Sequence, residues 1–158
     1  MRNIFVLLVA FAVMLSISAQ QNDSKDFTSE EVAVKTLIEH FLISIGNYDL
    51  DSLPEMFSKN ANIGGASLRI GQWTRFTMTF AEFLALLKSR TNPSKYNKPV
   101  SRFTIHMDRA MFAFVKADAV LIRNGKAQSN NFDNFTLIKE NGEWKILNGS
   151  YVSIPIEN

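Results

Sequence analysis

The chain has 158 residues, no cysteine, and 17 basic against 15 acidic side chains. That near-balance excludes a whole-protein field that would steer it toward nucleic acid or an anionic membrane. Without thiols there is neither a disulfide nor a lipid-attachment site, yet 13 phenylalanines supply enough apolar mass for one packed domain without covalent staples.

Met1-Arg2-Asn3 is a short positive lead, residues 4–15 form an unbroken apolar run, and Ser16-Ile17-Ser18-Ala19 supplies small residues for cleavage. This is the three-part pattern of a secretory signal peptide. Residues 1–19 are expected to be removed and the product exported, to a periplasm or beyond the cell. A membrane anchor is the competing reading, but the uncharged run is near the short limit for spanning a bilayer and no stop-transfer charges follow it. Residues 20–27 are polar and read as a flexible tail, leaving 28–158 as a single domain.

Thr28 and Glu31 make a T-x-x-E capping box, and Val34, Leu37, Ile38, Phe41 and Ile45 follow at helical spacing. Glu31, Lys35 and Glu39 mark the wet face, and Gly46 is expected to end this first helix. Asp51 is the expected N-cap of a short second helix carrying Leu53, Met56 and Phe57, with Pro54 in its first turn, where a missing N–H is harmless. Residues 62–70 read as short strands broken at Gly64-Gly65. Thr79 and Glu82 repeat the capping box ahead of a third helix containing Phe83, Leu84 and Leu87, and residues 90–99 read as a loop. From Arg102 the period changes to two. Phe103, Ile105 and Met107 alternate with polar residues, and turns at Asp108-Arg109, Asn124-Gly125 and Asn141-Gly142 separate four strands. Tight turns force neighbouring strands to be antiparallel. The pattern predicts an α+β fold, with helices laid against one face of a strongly curved antiparallel sheet.

Three pieces carry a family resemblance: the first helix over 32–45; Asn47-Tyr48-Asp49-Leu50-Asp51-Ser52-Leu53 leading to Met56-Phe57 and Ala61; and the closing hairpin from Phe135 through Asn141-Gly142-Glu143-Trp144-Lys145-Ile146. The last is similar to the tL-x-k-x-x-G-x-W-k-I ending of the NTF2-like superfamily, which includes SnoaL-like proteins, ketosteroid isomerases and lumazine-binding-type proteins. The resemblance covers almost all of 28–153. It implies a cone of three helices in a bent sheet, a pocket between them, and often a dimer across the sheet's outer face. It does not carry isomerase chemistry with it: the general-base position falls near Gly64-Gly65 and the acidic tyrosine position on Phe41, and neither side-chain type can move a proton.

No metal centre is expected from two histidines, His40 and His106, and no cysteine, and no cofactor motif is present. His106 has an imidazole suited to general-base work, but alternation sets it opposite Phe103, Ile105 and Met107. If those residues face the pocket, it points outward. Asp133 is the stronger candidate. A carboxylate is a poor mid-strand residue and costly to bury unpaired, and alternation groups it with Asn131, Phe135 and Leu137. It is either an acid or base lining a pocket or a strand-end carboxylate satisfied by neighbours or solvent. Trp73, Phe76, Met78 and Phe80 make either an aromatic rim or ordinary core. Lys88, Arg90, Lys95, Lys98 and Arg102 concentrate positive charge without interleaved acid, as a phosphate-binding surface would, but a solvated loop is the ordinary explanation. The expected pocket set is Phe41, Trp73, Phe76, Phe83, Phe103, Asn131, Asp133 and Phe135. The expectation is an exported protein that binds a small, mostly apolar molecule or a protein partner, with a homodimer as its assembly and no nucleic-acid role. The alternative is an isomerase, cyclase or hydrolase using Asp133 as acid/base.

Overall fold

A computed structural model describes residues 27–157, so the expected signal peptide and most of the polar tail lie outside the described residues. The elements in chain order are α1 (Ser29–Asn47), α2 (Leu53–Met56), β1 (Phe57–Arg69), β2 (Gln72–Thr79), α3 (Phe80–Lys88), β3 (Val100–Asp108), β4 (Phe112–Arg123), β5 (Lys126–Glu140) and β6 (Glu143–Pro155). The sheet order is β2-β1-β6-β5-β4-β3. The last four strands form the expected antiparallel meander, and Asn124-Gly125 and Asn141-Gly142 all have positive φ, as type I′ turns require. One pairing departs from the antiparallel expectation. β1 lies parallel to β6, which is possible because no tight turn joins them. The sheet is therefore mixed.

Both capping boxes form. The Glu31 N–H donates to Thr28 Oγ1 at 3.3 Å while the Thr28 N–H donates to Glu31 Oε2 at 2.9 Å. Thr79 and Glu82 repeat the exchange at 3.2 and 2.8 Å. This reciprocal bonding buries Glu31, which helical spacing alone had placed on the wet face. Gly46 does not end α1. The helix runs to Asn47 and is closed by Tyr48 in the left-handed region, φ 64°. Gly46 is instead a point of close approach: the Tyr96 N–H donates to the Gly46 carbonyl at 3.0 Å, and a Cβ on Gly46 would lie inside contact distance of the Tyr96 carbonyl oxygen. α2 is capped by Ser52 rather than Asp51, without a side-chain cap bond, and Phe57 already begins β1.

Gly64 and Gly65 do not break a strand; β1 runs through them. Gly65 lies opposite Phe76 on β2 and Tyr151 on β6. Those two rings fold over it with centroids 5.9 Å apart, occupying the space a Cβ would need. The glycine is an aromatic-covered gap in the sheet.

The core lies between α1 and the sheet. Phe41 meets Phe57 and Phe135 edge-on at 5.3 and 5.7 Å, and Phe57 stacks on Phe80 at 3.9 Å. Trp144 and Lys139 both donate to the Glu30 carboxylate, at 2.7 and 2.6 Å, tying the start of α1 to the closing hairpin. Bulges set which residues face inward. Thr136 pairs with Asn148 and Leu137 with Ile146, so Leu147 is an extra residue in β6. Alternation before it buries Trp144 and Ile146; after it, Gly149, Tyr151 and Ser153 point the same way.

Candidate functional site

A cavity of about 460 Å³ opens between the C-terminal half of α1, α3 and the inner face of the sheet. Its floor is apolar, made by Phe41, Leu42 and Ile45 from α1, Phe83 and Leu87 from α3, and Ile63 and Phe135 from the sheet. One wall is polar. β5 contributes Ser129, Asn131 and Asp133, β6 contributes Tyr151, and the chain between α3 and β3 contributes Tyr96 and Lys98. Ser129, Asn131 and Asp133 are buried because they share the odd-numbered face of β5 with Phe135 and Leu137.

Asp133 is 3 % exposed. Its Oδ1 accepts from Lys98 Nζ at 2.6 Å, and the lysine side chain is itself only 9 % exposed. The ammonium also lies 5.5 Å from the centre of the Tyr151 ring. Among the described residues, Asp133 Oδ2 has no hydrogen-bond partner, and neither has the buried Tyr48 hydroxyl beside the same cavity. Burial pushes the Asp133 carboxyl above the usual carboxylate range, and the Lys98 charge and hydrogen bond partly oppose that rise. Tyr96 is pushed up to about 12, chiefly by burial and then by Asp133, so it remains a neutral phenol. Ser129 donates to Asn131 Oδ1 at 2.8 Å. Chemically, the residues of this wall carry a buried carboxylate oxygen without a donor, an ammonium and phenolic hydroxyls, beside an apolar floor.

Of the residues expected to line a pocket, Phe41, Phe83, Asn131, Asp133 and Phe135 meet at this cavity, and Trp73, Phe76 and Phe103 do not. Alternation along β2 puts Phe76 and Met78 on the inner face and Trp73 on the outer one, where it is 46 % exposed. Phe76 is held over Gly65 behind Tyr151. Phe103 packs into the core beside the first half of α1, with Lys35 Nζ 5.6 Å from its ring centre. Phe80 is core rather than rim. His106 is exposed on the outer face, in a shallow groove with Thr104, Phe114 and Lys116, across the sheet from Asp133.

Two features lay outside sequence reasoning. Lys98 belonged to a run of charges most simply read as a solvated loop, yet it is buried against Asp133. Tyr48 belonged to a stretch that carries the family resemblance and Tyr96 to the loop after α3, and nothing local marked either as a site residue. The clue available for Lys98 was the mid-strand Asp133, which needed a cation from somewhere. Among the described residues, no cluster of three or more His, Asp or Glu is arranged to hold a metal ion, and no helix is long and apolar enough to cross a membrane.

The helices, the mixed six-stranded sheet and the cavity between them define an NTF2-like α+β fold. A family model described as "Putative lumazine-binding" matches residues 29–152, and the chain belongs to that family. Solved structures agree in fold. A protein of unknown function with a cystatin-like fold from Nostoc punctiforme superposes with a TM-score of 0.63 at 12% identity, covering 81% of this chain and 94% of that one. An NTF2-like protein from Cytophaga hutchinsonii gives 0.62 at 16% identity over 81% and 100%. Another, from Novosphingobium aromaticivorans, gives 0.63 at 14% identity over 78% and 81%. No curated protein matches the sequence.

Proposed function

We propose that this protein binds a small molecule in the cavity between α1, α3 and the sheet. The molecule is apolar over most of its surface and has one polar edge turned toward Asp133 and Lys98. The observation that carries this is Asp133 Oδ2, a buried acceptor without a protein donor at the wall of a 460 Å³ space. A buried carboxylate oxygen left unpaired is costly, and a ligand N–H or O–H satisfies it. Membership of a family described as lumazine-binding supports a planar heterocycle in this role. Export with cleavage after Ala19 belongs to the same proposal, as does a homodimer through the outer sheet face, where Phe112 and Phe114 are exposed.

Native mass spectrometry of the protein purified from an exporting host tests all three parts. The expected spectrum has a subunit mass starting at Gln20, a dimer, and a retained small molecule. Ser67, half-buried on the cavity wall, is the place to plug it. Ser67→Trp is expected to lose the retained mass, and identical ligand content in the two proteins would overturn the binding reading.

A second reading is favoured by the raised carboxyl of Asp133: the same cavity performs acid/base chemistry on what it holds. General acid or base catalysis contributes about 10²–10⁴-fold. Conversion of the retained molecule should then fall by at least about a hundredfold in Asp133→Asn while the molecule is still retained. Undiminished conversion in that variant would dispose of the catalytic role.

A further inference from the structure

Three arginines stand around the mouth of the cavity: Arg69, Arg90 and Arg123. They come from separate connections, Arg69 from the end of β1, Arg90 from just beyond α3, and Arg123 from the end of β4. All three are exposed, and among the described residues none has a carboxylate partner within ion-pair distance, unlike Arg102, which is held by Asp118. An isolated exposed arginine needs no explanation. Three lining one opening do, because like charges repel; Arg90 also borders a neighbouring recess that holds Asp49 and Asp51, without forming an ion pair with either. Among the described residues lining the cavity, Asp133 is the only carboxylate, and it is already matched by Lys98. The site is therefore strongly cationic at its mouth, apolar at its floor, and has one free acceptor, Asp133 Oδ2, on its inner wall.

From this gradient we infer that the ligand is an amphipathic anion. Its ring or chain lies on Phe41, Phe83 and Phe135, a donor group reaches Asp133, and a carboxylate, sulfonate or phosphate sits among Arg69, Arg90 and Arg123. The inference rests on the binding reading above and adds the charge of the ligand and its orientation. Guanidinium groups suit it because they pair with planar or tetrahedral oxyanions through two parallel N–H donors. The mouth is open to solvent, so the attraction is screened by salt.

A matched pair of fluorescent probes separates the charge from the cavity. 8-Anilinonaphthalene-1-sulfonate and N-phenyl-1-naphthylamine share the same rings and bridging N–H, and differ in the sulfonate. At low ionic strength the sulfonate probe is expected to bind about tenfold or more tightly than the neutral one, as charge-assisted hydrogen bonds would provide. Salt should erode that preference. The triple variant Arg69→Gln/Arg90→Gln/Arg123→Gln should abolish it and leave the neutral probe's affinity unchanged, whereas Arg75→Gln, at an exposed position on β2, should preserve it. Equal affinities in the wild-type protein, or a preference that survives the triple variant, would overturn the anionic assignment while leaving the binding reading intact. If Ser67→Trp displaces neither probe, both bind elsewhere, and the cavity reading and the anionic assignment fall together.

Discussion

Lys98→Met is expected to destabilise the protein by about 3–5 kcal/mol at neutral pH, because it strips the counter-charge from a buried carboxylate. For a domain of this size that corresponds to a fall in Tm of roughly 10 °C or more. Asp133→Asn should cost less, about 1–3 kcal/mol. The asymmetry follows from where each charge is anchored. Asp133 is fixed by a short side chain to the middle of β5 and cannot leave its wall, whereas the lysine stem can swing its ammonium into the cavity and toward water. In the background of Lys98→Met, Asp133→Asn should recover most of the loss, since the stranded charge is then gone.

The pH dependence separates a charge effect from lost packing. Burial raises the folded-state carboxyl of Asp133 above its unfolded value, so the folded protein holds that proton more tightly. Stability from this source is fully present below the unfolded pKa and is lost as pH rises through the folded one. Lys98 opposes the rise; without it the folded value climbs further and the loss deepens. The difference in stability between wild type and Lys98→Met should therefore be small near pH 4 and widen toward pH 8, across the range above the ordinary carboxylate value. Thermal melts at several pH values read this directly. A difference independent of pH would mean that lost packing, rather than the stranded carboxylate, carries the cost. Asp118 behaves in the opposite sense: Arg102 and Lys116 hold its carboxyl below the usual range despite some desolvation, so its contribution is lost as pH falls.

The starts of α1 and α3 and the closing meander were legible because their signals are local. A capping box spans four residues, an Asn-Gly turn two, and both produce the same geometry in most surroundings. The hairpin between β1 and β2 was not legible for the same reason in reverse. It turns on Ile70-Gly71, with φ of 49° and 72°, and a β-branched residue in the left-handed region is a poor advertisement for a turn. Gly64-Gly65 looked like a break because the rings that cover Gly65 come from Phe76 and Tyr151, the latter 86 residues away on a strand paired in parallel. The site divides along the same line. Asn131, Asp133 and Phe135 lie on one face of one strand, and alternation alone groups them. Lys98, Tyr96 and the mouth arginines reach the cavity only through tertiary structure, and Trp73 and Phe103 were misplaced because face and depth within the sheet depend on pairings no local pattern records.

Gly46 joins the fold to the site, and its substitution is the second large effect expected. As the residue after Ile45 in α1 it would ordinarily be improved by alanine, since glycine in a helix interior costs about 0.5–1 kcal/mol relative to alanine. Here the sign should reverse. A methyl group on Gly46 meets the Tyr96 carbonyl oxygen, which is backbone and cannot turn aside, and the Tyr96 N–H to Gly46 carbonyl bond lies in the same contact. Overpacking of this kind typically costs about 1–3 kcal/mol. The chain must relieve it by moving α1 and the Tyr96 segment apart, and the Tyr96 segment also carries Lys98. The pairing of Asn97 with Ile122, whose N–H groups each donate to the other's carbonyl at 2.9 and 2.8 Å, holds that segment from the other side. The strain should therefore pass to the Lys98–Asp133 contact rather than dissipate in a free loop. Gly46→Ala should lower Tm and weaken binding of the sulfonate probe together, although residue 46 does not line the cavity. A variant that is more stable than wild type, or one that loses stability while binding the probe unchanged, would show that the approach of Tyr96 to Gly46 does not position the polar wall.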